Sequence, residues 1–587
     1  MFVKKLAVLL SLIILPQIIF AQEKEDPAKE RIEREAKFLD QLLNDTRNLR
    51  LPENRALVFA RVGSAFWQID EKRARKLFQE AIGEVVTAQT EIQNEKNYKQ
   101  YFQSLYYGQA PRFDVLNYIA SRDAELALEY LAKSRPAVLS EAMQNIDRDP
   151  GSAISQYARN EISTEQRLLG MAAEQNPQLA IGRVRESIQK DVSYETLNLL
   201  KKIYAKDPEN ANKLVEELAA KFLEKDFLTQ NYQQTDIIAY FLNDMGRKRN
   251  ENEKGLTISD DLLRRLATKF SEYWLNSKTT QFYGYGYAFP VIERFFPDRA
   301  AQIKKKAEKY NSPQNTESES QEYSQLVSSE TAPEELIARA GKFQSYYRNE
   351  LYRAAANKYV QGGNIAQAEK VLRTNVSDDQ AENYLNQMYV NLSSQLAYEG
   401  KFGEANDYAN RITNEDQRLS SLINLGTIVY QKDPKENVKA AEGIFSQARA
   451  LIPNSPETQN ELNSTAMLAN AYFPVDANES FRLVESLVPI LNEVSRANVV
   501  MMKFRSYGGF RQGETQLGQS NNLGSYYIDS LLRNLKSKDF DRTIDLVNSF
   551  SQPETRIWLQ LQLIDENLIS NSNLMIYSSR LKRRSFR

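Results

Sequence analysis

The 587-residue chain contains no histidine and no cysteine, which closes most side-chain chemistry to it from the outset. No Ser-His-Asp triad, Cys-His pair or thiol nucleophile can be assembled. Zinc sites of ordinary type are excluded too, because carboxylates alone rarely hold zinc. Acid–base work by two carboxylates stays open, as in glycosidases, but 77 Asp and Glu residues offer no way to choose a pair. Asp260-Asp261 and Asp378-Asp379 both precede apolar helical patterns, where helix capping accounts for them. No Asp-x-Asp-x-Asp-Gly calcium loop occurs. Ser187-Ile-Gln-Lys190 has the Ser-x-x-Lys spacing of penicillin-interacting enzymes, yet its Lys-Thr-Gly partner is missing, and Lys278-Thr279-Thr280 departs from it. Gly284 and Gly286 lack the third glycine and the preceding strand of a phosphate loop. The expectation is a chain with no catalytic residue, no metal ligand and no cofactor, and therefore not an enzyme.

Aromatic residues are the remaining chemistry. Phe282, Tyr283, Tyr285, Tyr287 and Phe289 crowd one glycine-containing connection. Their rings either pin an inter-repeat loop on the core or offer Tyr283, Tyr285 and Tyr287 as a stacking surface for a sugar or peptide. Tyr101, Phe102, Tyr106 and Tyr107 invite the same two readings.

The elements that must position such residues are short helical hairpins. In Leu197 to Leu218, Leu197, Leu200, Ile203 and Tyr204 form one apolar stripe at helical spacing. Asp207 is placed to cap a second helix, Pro208 opens it, and Ala211, Leu214, Val215 and Leu218 form its inward stripe. Small Ala211 lets two backbones approach. Neither helix is long enough to be stable alone, so each hairpin must bury its stripe on a neighbour. The same phrase recurs as Asp70–Ala74, Asp123–Ala127, Asn176–Ala180, Asp476–Ser480 and Asp539–Thr543. Alternating strand patterns with Asn-Gly or Asp-Gly turns are absent.

Residues 1–21 read as an export signal: Lys4 and Lys5, an apolar run from Leu6 to Phe20, and Ala21 before the cut. The run is about 15 residues, short of the roughly 20 that span a bilayer, and no later segment is long and apolar enough. Its removal leaves 74 basic against 77 acidic residues, a formal charge of −3, which gives no case for nucleic acid. Without cysteine there are no disulfides and no lipid attachment of the lipoprotein kind. The expected location is periplasmic or extracellular. The basic stretch 580–587 reads as a solvated tail.

After a charged entry helix or cap over 22–50, an array of hairpins is expected over 51–303. A polar, low-complexity linker follows over 304–334, and a second array with the basic tail fills 335–587. In the second array Ala356, Tyr359, Gly363, Ile365, Ala368 and Leu372 form one motif. Leu392, Gly400, Phe402, Ala405 and Ala409 form the next, and Leu425, Gly426, Ala441, Phe445, Ala448 and Pro453 a third. These match the small, aromatic, turn-glycine and alanine positions of the tetratricopeptide family, which residues 350–455 resemble, although the family's early tryptophan is missing. The resemblance implies an all-α, right-handed superhelical solenoid of helix-turn-helix repeats with a concave groove for a peptide or protein. An envelope polymer or carbohydrate is the other ligand class considered. Such a scaffold predicts an open superhelix. Its rival is an all-α carbohydrate-active enzyme of toroidal build using a carboxylate pair, which predicts closure; a soluble carbohydrate-binding component is a third reading. Phe504 to Gly524 reads as a flexible insertion, and the helices after Tyr526 as the array's end cap.

Overall fold

The structure, a computed structural model, describes residues 27–94, 111–144, 146, 152–224, 232–247, 254–276, 283–310, 317–328, 330–504, 510–517 and 527–564. Residues 1–21, read above as an export signal, and Tyr101 to Tyr107, Phe282 and the basic stretch 580–587 lie outside these.

The first array comprises α1 (Pro27–Thr46), α2 (Pro52–Phe66), α3 (Glu71–Asn94), α4 (Pro111–Ala120), α5 (Ala124–Lys133), α6 (Ala137–Gln144) and α7 (Ala153–Gln175). It continues through α8 (Pro177–Lys190), α9 (Tyr194–Tyr204), α10 (Pro208–Glu224), α11 (Tyr232–Gly246), α12 (Asp260–Asn276), α13 (Tyr285–Phe295) and α14 (Pro297–Tyr310). The second comprises α15 (Glu317–Ser328), α16 (Pro333–Ala340), α17 (Ser345–Gln361), α18 (Ile365–Asn375), α19 (Asp378–Tyr398), α20 (Phe402–Arg411), α21 (Glu415–Lys432) and α22 (Val438–Ala450). Then come α23 (Gln459–Tyr472), α24 (Ala477–Phe504), a ribbon of β1 (Phe510–Arg511) and β2 (Glu514–Thr515), and α25 (Tyr527–Lys538), α26 (Phe540–Asn548) and α27 (Pro553–Gln562). The chain is an all-α solenoid of stacked helical hairpins.

The local reasons for these hairpins are the caps and the small residues. The Asp70, Asp123, Asp207 and Asp539 carboxylates each accept a backbone N–H three residues on, at 2.9–3.1 Å. Asn176 differs: its side chain caps nothing, and Pro177 opens α8. Ala74, Ala127, Ala180, Ala211, Ala368, Ala405 and Ala441 are all buried where paired helices meet. Gly363 and Gly400 turn the chain after α17 and α19 with φ of 77° and 84°, a region that favours glycine. At both, the N–H three residues past the helix reaches back to a carbonyl of the last turn, Asn364 to Tyr359 and Lys401 to Leu396. Gly426 lies inside α21, where an added Cβ would sit 2.5 Å from the Phe445 ring.

The two arrays are joined through the first and last described helices, α1 and α27. Phe38, Leu39 and Leu42 of α1 and Leu57 and Val62 of α2 share one core with Leu531 and Leu535 of α25 and Ile557 and Leu561 of α27. Helix α1 packs on both α2 and α27. The stack therefore runs in space from α15 to α27 and on from α1 to α14. Its two outer ends, Tyr310 and Glu317, are seven residues apart in sequence, so the chain holds them within about 25 Å.

This corrects four expectations. Helix α1 and the helices after Tyr526 are not end caps; each supplies the apolar face the other lacks. The insertion after Phe504 contains the β ribbon, turned at Gln512 and Gly513 with positive φ and bound into the closure. The ribbon has no Asn-Gly or Asp-Gly turn, which is why its sequence gave no hairpin signal. The low-complexity stretch 304–334 is helical over much of its length, in α14 and α15. Finally, the stack is not open at α1 and α27, which pack on each other, whereas a plain groove-binding superhelix is expected to be open there.

Candidate functional site

Two features of the first array face outward with chemistry to offer. One is built from tyrosines. Ser193 caps α9 with a capping box, which fixes Tyr194 as the first helical residue. Tyr240 lies on α11 and Tyr287 on α13. Tyr194 meets Tyr240 edge-on at 6.2 Å between centroids, and Tyr240 meets Tyr287 at 5.5 Å. Tyr194 is 46% and Tyr287 44% exposed. Three hairpins thus present one touching aromatic ladder across the stack. Beside it, Lys201 of α9 pairs with Asp244 of α11 at 2.9 Å.

The three predicted tyrosines separate. Gly284, at φ 73°, starts α13; a Cβ there would collide with Ala239 Cβ, so the stretch read as a connection is a helix begun by a required glycine. Tyr285 turns inward, stacked on Phe289 at 4.6 Å and tilted against Trp274 at 5.5 Å. The Tyr283 carbonyl accepts the Trp274 indole N–H at 3.2 Å. Tyr287 alone of the three joins the ladder. Its partners Tyr194 and Tyr240 carried no sequence signal beyond being aromatic on first helices of hairpins.

The second feature lies where the arrays meet. Arg61 of α2 is 8% exposed, and its guanidinium lies over the Tyr118 ring at 5.7 Å. Asp114 of α4 is open to solvent but has protein packed closely around it. Burial pushes its carboxyl up to about 6 against the opposing pull of Arg167 and Arg61. Asp529 of α25 is likewise held above its ordinary value by burial, opposed by Arg533 and Arg61. Residues from both arrays thus act on one arginine.

The buried polar centre of the first array is structural. Glu161 of α7, fully buried, receives Arg112 through two bonds at 2.7 and 2.9 Å and Arg135 at 2.9 Å. Burial alone would raise its pKa; Arg112 and Arg135 more than offset that and hold it below the usual carboxylate range. Ser187 is fully buried in α8, and Lys190 is paired with Glu165 at 2.8 Å. That leaves the Ser-x-x-Lys pair without access to a substrate. Among the described residues no group of three Asp or Glu is placed to hold a metal ion, and no helix is long and apolar enough to cross a membrane.

No protein-family model matches the chain, and no curated protein matches it. Among solved structures, a circular tandem repeat protein "with novel repeat topology and enhanced subunit contact surfaces" aligns over 94% of this chain and 99% of its own, at 12% identity and a TM-score of 0.17. The APC/C hetero-tetramer Cut9–Hcn1 aligns over 96% and 98%, at 15% identity and a TM-score of 0.16. Superpositions this loose carry no weight, and the fold rests on the hairpins themselves.

Proposed function

We propose that the chain is an exported, non-enzymatic repeat scaffold that binds a peptide or protein along the Tyr194–Tyr240–Tyr287 ladder. The carrying observation is the ladder itself: rings from three successive hairpins touch one another while two stay more than two-fifths exposed. Tyrosine gives a large rigid apolar surface with a hydroxyl at its rim, the combination found at binding surfaces. A strip running across helices suits an extended ligand, above all a proline-rich segment already in its bound shape. A polysaccharide of the envelope would use the same rings by stacking. Export rests on the composition of residues 1–21.

The test is a pull-down from envelope extract with the intact chain and with Tyr194→Ala/Tyr240→Ala/Tyr287→Ala. The variant should lose the captured species while keeping its helical circular dichroism and melting temperature. Equal capture by both proteins would remove the ladder from the function. The mass of the mature chain recovered from cells decides export: removal of residues 1–21 is expected.

One observation favours a second reading. The packing of α1 on α27 is the kind of closure that a toroidal carboxylate-pair enzyme requires, and Asp114 and Asp529 both act on Arg61 near it. That reading predicts glycan hydrolysis abolished by either Asp114→Asn or Asp529→Asn. The scaffold reading predicts no hydrolysis by the unmodified chain.

A further inference from the structure

Helix α24 ends on an apolar stripe that faces away from the protein. Ala497, Val500, Met501 and Phe504 follow one another at i, i+3, i+4 and i+7. That is the spacing of Ala211, Leu214, Val215 and Leu218, which α10 buries. Here all four are exposed, Val500 by 52%, Met501 by 51% and Phe504 by 83%. The other side of the same turns is the seated one. Ser495 is the last buried residue of the helix, and beyond it Asn498, Val499 and Met502 are half-buried. The helix packs on the β ribbon, with Lys503 Nζ over the Phe510 ring at 5.5 Å. The stripe is therefore held outward by a fixed inner face.

Charge and area say what covers it. No acid occurs between Glu493 and Glu514, while Arg496, Lys503, Arg505 and Arg511 fall in that interval. Arg496 and Lys503 are both exposed, two turns apart on the face adjoining the stripe. The acids of α2 and α3 that meet the ribbon, Glu53 and Glu91, are engaged by Arg511 at 2.7 and 3.7 Å. The helix end is thus apolar with a cationic rim. At about 200 Å² for a fully exposed large side chain, Val500, Met501 and Phe504 offer less than about 400 Å², half of the roughly 800 Å² per partner that a stable protein interface uses. A second copy of the chain gains too little from such a patch. A lipid surface requires no complementary shape, takes up apolar side chains singly and, when anionic, attracts the rim.

We propose that the end of α24 is a membrane-surface contact, which sets Val500, Met501 and Phe504 into the headgroup layer of an anionic bilayer with Arg496 and Lys503 at the lipid phosphates. The long stems of the two cations let their heads stay in the wet layer while the stripe enters the apolar one. The stripe is about eight residues long, short of the roughly 20 that span a bilayer, so the helix lies at the interface and does not cross it. The contact shares no helix with the tyrosine ladder of α9, α11 and α13, so the chain can rest on a membrane and hold a ligand at once.

The chain has no cysteine, so Val500→Cys gives the full chain a single site for an environment-sensitive dye. Lys439→Cys, exposed on α22, is the control. Vesicles of phosphatidylcholine with about 30% phosphatidylglycerol should shift the dye at 500 to the blue and leave the dye at 439 unchanged. The dye reads its own position, so attachment through residues 1–21 or 580–587 would leave it silent. Phosphatidylcholine alone should bind about tenfold more weakly or less. Adding Met501→Ser/Phe504→Ser should weaken binding to the anionic vesicles by about tenfold or more. Adding Arg496→Gln/Lys503→Gln should weaken it by about fivefold per cation and should not change binding to neutral vesicles. All four side chains are exposed, so the melting temperature should hold. Equal dye response at 500 and 439, equal binding to neutral and anionic vesicles, or binding unchanged by Met501→Ser/Phe504→Ser overturns the contact. A blue shift at 500 that grows with protein concentration without vesicles also overturns it and assigns the stripe to a second copy.

Discussion

The two arrays use the same hairpin but fill their interiors differently. In the first, charged groups are buried between helices: Arg61, Arg112, Arg159, Glu161 and Asp191 are each at most 8% exposed. In the second, from α17 to α24, the buried polar residues among those described are all neutral: Asn386, Ser393, Ser421, Thr465, Ser480 and Ser495. Buried acids return only at the closure, as Glu514 and Glu554. The regular array brings backbones together over alanine and glycine and leaves no room for a charge. The first array has extra helices such as α6, so its inter-hairpin contacts are irregular, and polar networks fill what apolar side chains cannot. Such pairs add little net stability, but they hold one arrangement against others because half a pair is costly.

The largest expected effect follows from that. Glu161→Gln should destabilise the chain by about 3–5 kcal/mol, because Arg112 and Arg135 would lose a buried counter-charge. Chemical denaturation measures it, and Arg112→Met/Glu161→Leu should recover most of the loss. A loss below about 1 kcal/mol for Glu161→Gln would place the first array's interior on the same footing as the second's. Next comes the second array's own device. Gly426→Ala puts a Cβ 2.5 Å from the buried Phe445 ring, so helices α21 and α22 must part, at roughly 1–3 kcal/mol. In the first array a Cβ on Gly63 would stand 2.9 Å from the Phe78 ring, a looser contact of the same kind. Gly63→Ala should cost less than Gly426→Ala; the reverse order would mean that close approach matters more in the irregular array.

Sequence reasoning reaches the hairpins because their causes are local. Asp207 and Ala211 stand four residues apart, and a cap and a close contact are written in that spacing. Gly363 and Gly400 announce left-handed turns in the same way. The closure has no local cause. Asn54 donates its amide to Glu514, 460 residues away, at 2.6 Å, and the backbone N–H groups of Arg50 and Leu51 bond the same carboxylate. Arg511 reaches Glu53 at 2.7 Å, and Lys536 pairs with Glu35. Each of these residues reads as an ordinary solvated charge in its own segment. The tyrosine ladder fails to show for a related reason: Tyr194, Tyr240 and Tyr287 come from three hairpins of unequal length, so no fixed period relates them. The aromatic cluster that did stand out mixed one ladder member with the inward-facing Tyr285.

The smallest effect tests whether the junction belongs with the charged interior or with the solvent. Asp114 is ionised less readily in the folded chain, at about 6, than its ordinary value of 3.8, because burial outweighs the pull of Arg167 and Arg61. The unfolded chain therefore gives up this proton first as pH rises. Its contribution is neutral below the unfolded value, becomes unfavourable between the two values, and stays so above about 6. Asp114→Asn removes the titration. Denaturation should then show the variant more stable than the unmodified chain at neutral pH and indistinguishable from it near pH 3.8. The gain should be smaller than either loss above, since this carboxyl is open to water and solvent screens it. A variant less stable at neutral pH would mean that Asp114 is paired as Glu161 is, and the contrast between a sealed polar core in the first array and a water-accessible acid at its junction would fall.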